Sequence, residues 1–219
     1  MTRAPGFCGV ILATGATLSD GRDKALLNWP PIEPGAVGVS STFLSSAIDL
    51  LQRHTDLIIV ITAKNTRALE PIIYSRAAFM VVNSAPELGD FNSLKLGLRE
   101  VLNRGRDAAF IAVADRPPVM EATLAKLHSA FLSAINQDKW AVVPHFEGQP
   151  GFPYVIGREM IEAFLRAPLT AAATDIKRAN ADHIVGVAVE DPMVSTTLDS
   201  ASDYDRLAAT IRSNQEIRS

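Results

Sequence analysis

Three polar clusters, each at the end of an apolar run, are where this sequence could do chemistry. The run Phe7 to Ala13 passes into Thr14-Gly15 and opens a polar stretch that reaches Gly21, Arg22 and Lys24. A glycine directly after such a run lets backbone amides approach a ligand. Amides in a loop of this kind cradle phosphate oxygens, and a lysine sets an ammonium charge against them. One Gly and one Lys also describe an ordinary solvated loop, and the stretch is neither the dinucleotide G-x-G-x-x-G nor the P-loop G-K-S/T pattern. The second cluster is Asp115, which ends the apolar run Ala108 to Ala114 and is followed by Arg116-Pro117-Pro118. A carboxylate there is placed to ligate Mg²⁺, which takes one or two carboxylates together with substrate phosphates. It is equally placed to serve the N-terminus of a helix beginning near Val119. The third is Asn83 with Gly89-Asp90-Phe91-Asn92-Ser93, polar groups that could bind a ligand or cap the helix they precede.

The four histidines, His54, His128, His145 and His183, have no metal-ligand spacing. His54 and His128 fall in helical patterns as surface or boundary residues, whereas His145 follows a strand close to Gly148 and Gly151. No nucleophile elbow is present. Cys8, the one cysteine, lies inside an apolar run, so it reads as a core thiol; a single thiol forms no internal disulfide and suits a reducing compartment.

These clusters need elements to hold them. The 219 residues are 47% hydrophobic and 21% charged, enough for a real core. A net charge of −3 with scattered Lys and Arg argues against nucleic acid as partner and favours a small molecule or a protein. No apolar run reaches the roughly 20 residues of a membrane span, and Met1 to Gly6 lacks a signal-peptide pattern; a cytoplasmic protein is expected. Short continuous apolar runs predict strands at 7–13, 57–62, 78–83, 108–114, 140–144, 154–156 and 183–189. Amphipathic stretches predict helices at 41–52, 66–76, 92–104, 119–137, 158–166, 170–180 and 202–214, with Pro71 kinking or interrupting the second. Strands alternating with helices give an α/β fold, a doubly wound and mainly parallel sheet with helices on both faces. No linker divides residues 7–215, so one domain is expected. Residues 15–40 are too long for a simple connection, and loops of that length are functional or disordered. In such sheets ligands bind at the carboxyl ends of the strands, where the three clusters fall.

In that order, the segments resemble the MobA/MocA-like nucleotidyltransferase family over nearly the whole chain. Leu12-Ala13-Thr14-Gly15 through Gly21 to Lys24 matches its opening L-A-A-G-x-S-x-R-M-G-x-x-K. Asn83 and Gly89-x-x-x-Ser93-Leu94 match N-P…G-x-x-x-S-L, and Ala114-Asp115-Arg116-Pro117 matches G-D-Q-P. Pro144 with Gly148-Gln-Pro-Gly151-Phe-Pro153 resembles the P-x-x-x-G-x-x-G-x-P loop of the MocA branch, and Thr197-Leu-Asp199 to Asp203-Tyr204 resembles the closing D-I-D-T-P-E-D-Y.

The resemblance implies a Rossmann-like nucleotide-diphospho-sugar transferase fold and transfer of a nucleoside monophosphate from CTP or GTP to a phosphorylated acceptor such as molybdopterin, with release of pyrophosphate. Leu12, Ala13, Thr14, Gly15, Gly21, Arg22, Lys24, Asn83 and Ser93 would bind the nucleotide. Lys24 and Asp115 would be catalytic, Asp115 and Asp199 would hold Mg²⁺, and Gly151 and Pro153 would meet the acceptor. Guanylyl-transferring relatives tend to carry Gly where this chain has Thr14, which tilts the expectation to CTP. Three departures matter, one of them Thr197 in place of the first Asp of the closing motif, which loosens the metal assignment. The family's loop Arg and Met are Ser19 and Asp20 here, which removes charge-assisted bonds to phosphate and leaves Arg22 as the nearest substitute. The loop after Leu27 is lengthened by Pro30-Pro31-Ile32-Glu33-Pro34-Gly35. The alternatives are a degenerate relative that binds nucleotide or cofactor as an accessory protein, and a sugar-phosphate nucleotidyltransferase.

Overall fold

The computed structural model describes residues 5–31 and 41–216; the expected lengthening at Ile32 to Gly35 lies outside them. The chain runs β1 (Phe7–Ala13), α1 (Phe43–Leu51), β2 (Leu57–Thr62), α2 (Thr66–Tyr74), β3 (Phe79–Val82), α3 (Asp90–Asn103), β4 (Ala108–Val113) and α4 (Glu121–Ala134). It continues with β5 (Ala141–Phe146), β6 (Gln149–Pro150), β7 (Tyr154–Gly157), α5 (Arg158–Arg166), α6 (Ala173–Ala179), β8 (Ile184–Ala188) and α7 (Ala201–Glu216). The eight-stranded sheet has the order β3-β2-β1-β4-β7-β5-β6, with β8 paired to β5.

Period-two alternation explains why β1 and β4 lie at the centre. Phe7, Ile11 and Ala13 of β1, with Ala108, Phe110 and Ala112 of β4, face a layer of α1, α2 and α4. Cys8 and Val10, with Ala109 and Ile111, face α3, α5 and α6. Strands buried on both faces are read as unbroken apolar runs. Helix α3 packs closely because Gly97 has no side chain: a Cβ there would come within 2.6 Å of Val10 Cγ1. Burial pushes the Cys8 thiol up to about 12, so it is a core residue with no thiolate character.

Helix α1 begins with a reciprocal cap: the Ser45 amide donates to Thr42 Oγ1 at 3.1 Å and the Thr42 amide to Ser45 Oγ at 2.6 Å. Pro71 lies inside α2 without ending it, so of the expected kink or interruption the interruption is absent. The sheet is parallel through β3-β2-β1-β4, and β7 then pairs antiparallel with both β4 and β5. Sequence did not reveal β6. It forms a hairpin with β5 through Glu147 and Gly148, which have φ of 48° and 80°, the consecutive positive angles that tight hairpins use.

His54 and His128 meet as boundary residues in an aromatic cluster, their rings 6.0 Å apart and His128 edge-on to Phe7 at 4.5 Å. No helix among the described residues is long and apolar enough to cross a membrane.

Candidate active site

Strand order reverses beside β1: β2 and β3 lie to one side of it and β4 to the other. The crevice at that reversal holds a cavity of about 440 Å³. Leu12 to Ala16, at the end of β1 and just beyond it, form one wall, and Val113 to Arg116, at the end of β4 and just beyond it, form the next. Asp90, Phe91 and Leu94 enter from α3, Phe152 and Tyr154 from the far side of β4, and Ala173 and Thr174 from α6.

The loop after β1 is a folded unit rather than an open connection. Leu18 and Arg22 are joined by backbone hydrogen bonding, Gly21 donates to the Leu18 carbonyl, and Lys24 donates to the Ala16 carbonyl at 3.0 Å. Leu18 anchors the turn in a small apolar cluster with Leu27, Phe43 and Leu198. Gly15 has φ of +93°, a left-handed conformation that favours glycine. Its amide and that of Ala16 enter no hydrogen bond among the described residues, so both are available to a ligand at the cavity wall.

Lys24 is buried, and its Nζ lies 3.5 Å from Asp199 Oδ1. Arg22 lies at the surface, its Nε donating to Asp20 Oδ2 at 2.8 Å and its guanidinium 5.8 Å from the Tyr204 ring centre. That guanidinium and two amides hold the Asp20 carboxyl below its usual range, the backbone hydrogen bond from Arg22 most of all. Neither Gly21, Arg22, Lys24 nor Asp199 lines the cavity itself. The closing segment is tied to the loop, with the Ser19 amide donating to the Asp199 carbonyl at 3.0 Å.

Asp115 lines the cavity, and its Oδ1 is buried with no hydrogen-bond partner. Burial raises its pKa; the charges of Arg116 and Lys24 oppose that rise and Asp90 adds to it. A buried carboxylate oxygen without a donor needs a proton or a cation. No trio of His, Cys, Asp or Glu among the described residues forms a complete metal shell. Asp115 fits a divalent cation of the kind that takes its remaining ligands from substrate phosphates and water.

Asn83 and Ser93 are brought together but bond to each other: Asn83 Nδ2 donates to Ser93 Oγ at 2.9 Å, and Asn83 Oδ1 accepts from the Ala85 amide and Asn92. Both are buried, outside the cavity lining, and brace the start of α3. Gly151 is a packing position, since a Cβ would fall 1.8 Å from the Val194 carbonyl oxygen. Pro153 lines a smaller cleft with Arg116, Phe152 and Leu124.

Asp23 escaped the sequence reading. Asp23 Oδ1 accepts from the Ala25 amide at 2.9 Å, its Oδ2 accepts from Asn65 Nδ2 at 2.6 Å, and the residue lines the cavity. Asp90 accepts from Thr14 Oγ1 at 3.4 Å. Asp90 was legible as a group that could bind a ligand or cap a helix; its contact with Thr14, like that of Asp23 with Asn65, depends on distant segments meeting.

The model of the MobA-like NTP transferase domain family matches residues 9–184. No curated protein matches the chain. Among solved structures, Rv0371c from Mycobacterium tuberculosis H37Rv is similar with a TM-score of 0.74 and 22% identity, covering 95% of this chain and 100% of that one. A second structure of Rv0371c is a complex with manganese, with a TM-score of 0.65 and 20% identity over 94% of this chain and 99% of the other. A molybdopterin-guanine dinucleotide biosynthesis protein A from Archaeoglobus fulgidus has a TM-score of 0.66 and 13% identity, covering 94% and 99%.

Proposed function

Because the chain belongs to the family of MobA-like NTP transferase domains, we propose that it transfers a nucleoside monophosphate, CMP in preference to GMP, from the triphosphate to a phosphorylated acceptor of the molybdopterin kind. One observation carries this reading. Two free amides at Gly15 and Ala16 and the unpartnered Oδ1 of Asp115 share the wall of one cavity at the ends of β1 and β4. Amides suit phosphate oxygens, and the carboxylate would hold a divalent cation that offsets their charge. The manganese complex of the similar Rv0371c structure supports a divalent metal.

In this mechanism the Gly15 loop binds the triphosphate by its backbone. Asp115 would hold Mg²⁺ with the phosphates, and Asp199 would be its second carboxylate. The metal, when bound, neutralises charge on the triphosphate and on departing pyrophosphate. Lys24 exchanges its long contact with Asp199 for a phosphate oxygen. A phosphate oxygen of the acceptor attacks the α-phosphorus, the bond from that phosphorus to the bridging oxygen breaks, and pyrophosphate leaves with the electron pair. A dianionic acceptor phosphate has no proton to lose, so positioning and charge neutralisation suffice.

A second reading, nucleotide or cofactor binding without transfer, is favoured by one observation: Arg22 is held by Asp20 and Lys24 by Asp199. Calorimetry with CTP, GTP, ATP and UTP, each with and without Mg²⁺, followed by a pyrophosphate-release assay with molybdopterin, separates the two. Metal-dependent binding of one nucleotide, lost in Asp115→Ala, together with pyrophosphate release supports the transferase. Binding without release supports the second reading, and no binding of any nucleotide removes the transferase and leaves only the cofactor half of the second reading.

A further inference from the structure

Two cations stand on aromatic faces at the cavity without carboxylate partners. The Arg116 guanidinium lies 5.1 Å from the centre of the Phe152 ring, and Lys177 Nζ lies 4.6 Å from the centre of the Tyr154 ring. The two rings are themselves 5.2 Å apart, so the charges flank one aromatic pair. Neither cation has an ion-pair partner within 4.0 Å among the described residues. Asp175, on the same helix as Lys177, pairs instead with Arg178 at 3.0 Å, and Asp115, the neighbour of Arg116 in sequence, feels its charge without forming an ion pair with it.

Arg116, Phe152 and Tyr154 line the cavity directly. Lys177 lies three and four residues beyond Thr174 and Ala173, which also line it, so all three share a face of α6. Burial lowers the affinity of Lys177 for its proton. A ring face compensates a desolvated ammonium only in part, and an anion would complete the compensation.

Position separates the aromatic pair, and Lys177 on it, from the triphosphate loop, while Arg116, next to Asp115, stands between the two. Tyr154 pairs with Ile111 of β4, and β4 pairs with β1 on its other edge. The aromatic pair is therefore two strand spacings, about 10 Å, from the strand that carries Gly15, on the side left for a second substrate.

We propose that Arg116 and Lys177 form the anion seat for the acceptor, taking its phosphate monoester between them while Phe152 and Tyr154 support its apolar body. This rests on the transferase reading for the word acceptor, but not for the seat. A phosphate held there keeps one oxygen towards the Gly15 loop and spreads its charge over a bidentate guanidinium and a point-charge ammonium.

The test is calorimetric titration of the full chain with phenyl phosphate, with phenol as the uncharged control, on the parent, Arg116→Gln, Lys177→Met and Lys177→Arg. Expected are binding of phenyl phosphate but not phenol, at least about tenfold weaker binding in Arg116→Gln and Lys177→Met, and recovery of most of it in Lys177→Arg. CTP affinity in Lys177→Met should stay within about twofold of the parent. Phenyl phosphate binding that is absent in the parent, or equal in all four folded proteins, would overturn the seat. So would a loss of CTP affinity in Lys177→Met as large as that for phenyl phosphate, which would assign the pair to the triphosphate. Phenyl phosphate bound through the pair by a parent that binds no nucleotide would sustain the seat and remove the transferase reading.

Discussion

Lys24 Nζ and Asp199 Oδ1 lie 3.5 Å apart across 175 residues of chain, the lysine side chain 10% exposed and the aspartate 85% exposed. The contact closes the loop after β1 against the segment that precedes α7. A pair so open on one side contributes little stability, on the order of 1 kcal/mol or less. Its carboxylate also competes with phosphate for the lysine. Asp199→Asn is therefore expected to leave the melting temperature nearly unchanged and to strengthen metal-free CTP binding about twofold to fivefold. With Mg²⁺ the same variant should bind more weakly if Asp199 is a metal ligand, so titrations with and without the ion separate its two roles.

Asp115→Asn should act in opposite directions on stability and function. Burial raises the Asp115 pKa, so the folded state binds this proton more tightly than the unfolded state does. Such a group contributes most stability below its unfolded value of 3.8 and loses that contribution as pH rises through its folded pKa. Where the buried carboxylate is ionised it is a liability, and Asn removes it. The variant is expected to melt a few degrees higher at pH 7 and to lose the gain that acidification gives the parent. Metal-dependent nucleotide binding should fall by about 100-fold or more. Melting curves at pH 5 and 7, paired with calorimetry, check both halves.

The strand runs were legible because burial on both faces leaves an unbroken apolar signature. Phe7–Ala13 and Leu57–Thr62 fall where the sequence places them. The polar residues at the ends of β1 and β4, Gly15 and Asp115, were legible for a related reason: fold geometry sends ligands to those ends. The wall from Phe152, Tyr154 and α6 was not. It depends on β7 turning antiparallel beside β4, a pairing with no local signal in a four-residue strand. The role of Gly151 was hidden too, because a motif cannot distinguish a glycine that admits a ligand from one that admits the Val194 carbonyl.

His128 contributes to the loss of stability at acid pH. Burial, and then the nearby His54, lowers the pKa of His128 from 6.5. The unfolded chain therefore takes up this proton first as pH falls. Stability from this residue is present above pH 6.5 and declines below it until the folded pKa is reached. His128→Phe keeps an aromatic group beside Phe7 and removes the titration. Its melting temperature should fall less than that of the parent between pH 7 and 5.5, and an equal fall in both proteins would exclude this residue as a source of acid sensitivity.

Two glycines one hairpin apart should respond differently to the same methyl group. At Gly151 a Cβ would lie 1.8 Å from the Val194 carbonyl oxygen, and that carbonyl also accepts the Phe152 amide at 2.9 Å. Backbone cannot rotate away as a flexible side chain can, so Gly151→Ala must push the Val194–Ser195 segment aside and disturb that bond. At Gly148 the added methyl meets nothing within 4 Å, and the only cost is the positive φ of 80°. Gly148→Ala is expected to cost about 1 kcal/mol, and Gly151→Ala about 3 kcal/mol or more. Denaturant unfolding of both variants measures the difference directly. If Gly151→Ala proves the milder, the close approach of Gly151 to Val194 is not a constraint on folding, and its glycine would have to be explained by the acceptor instead.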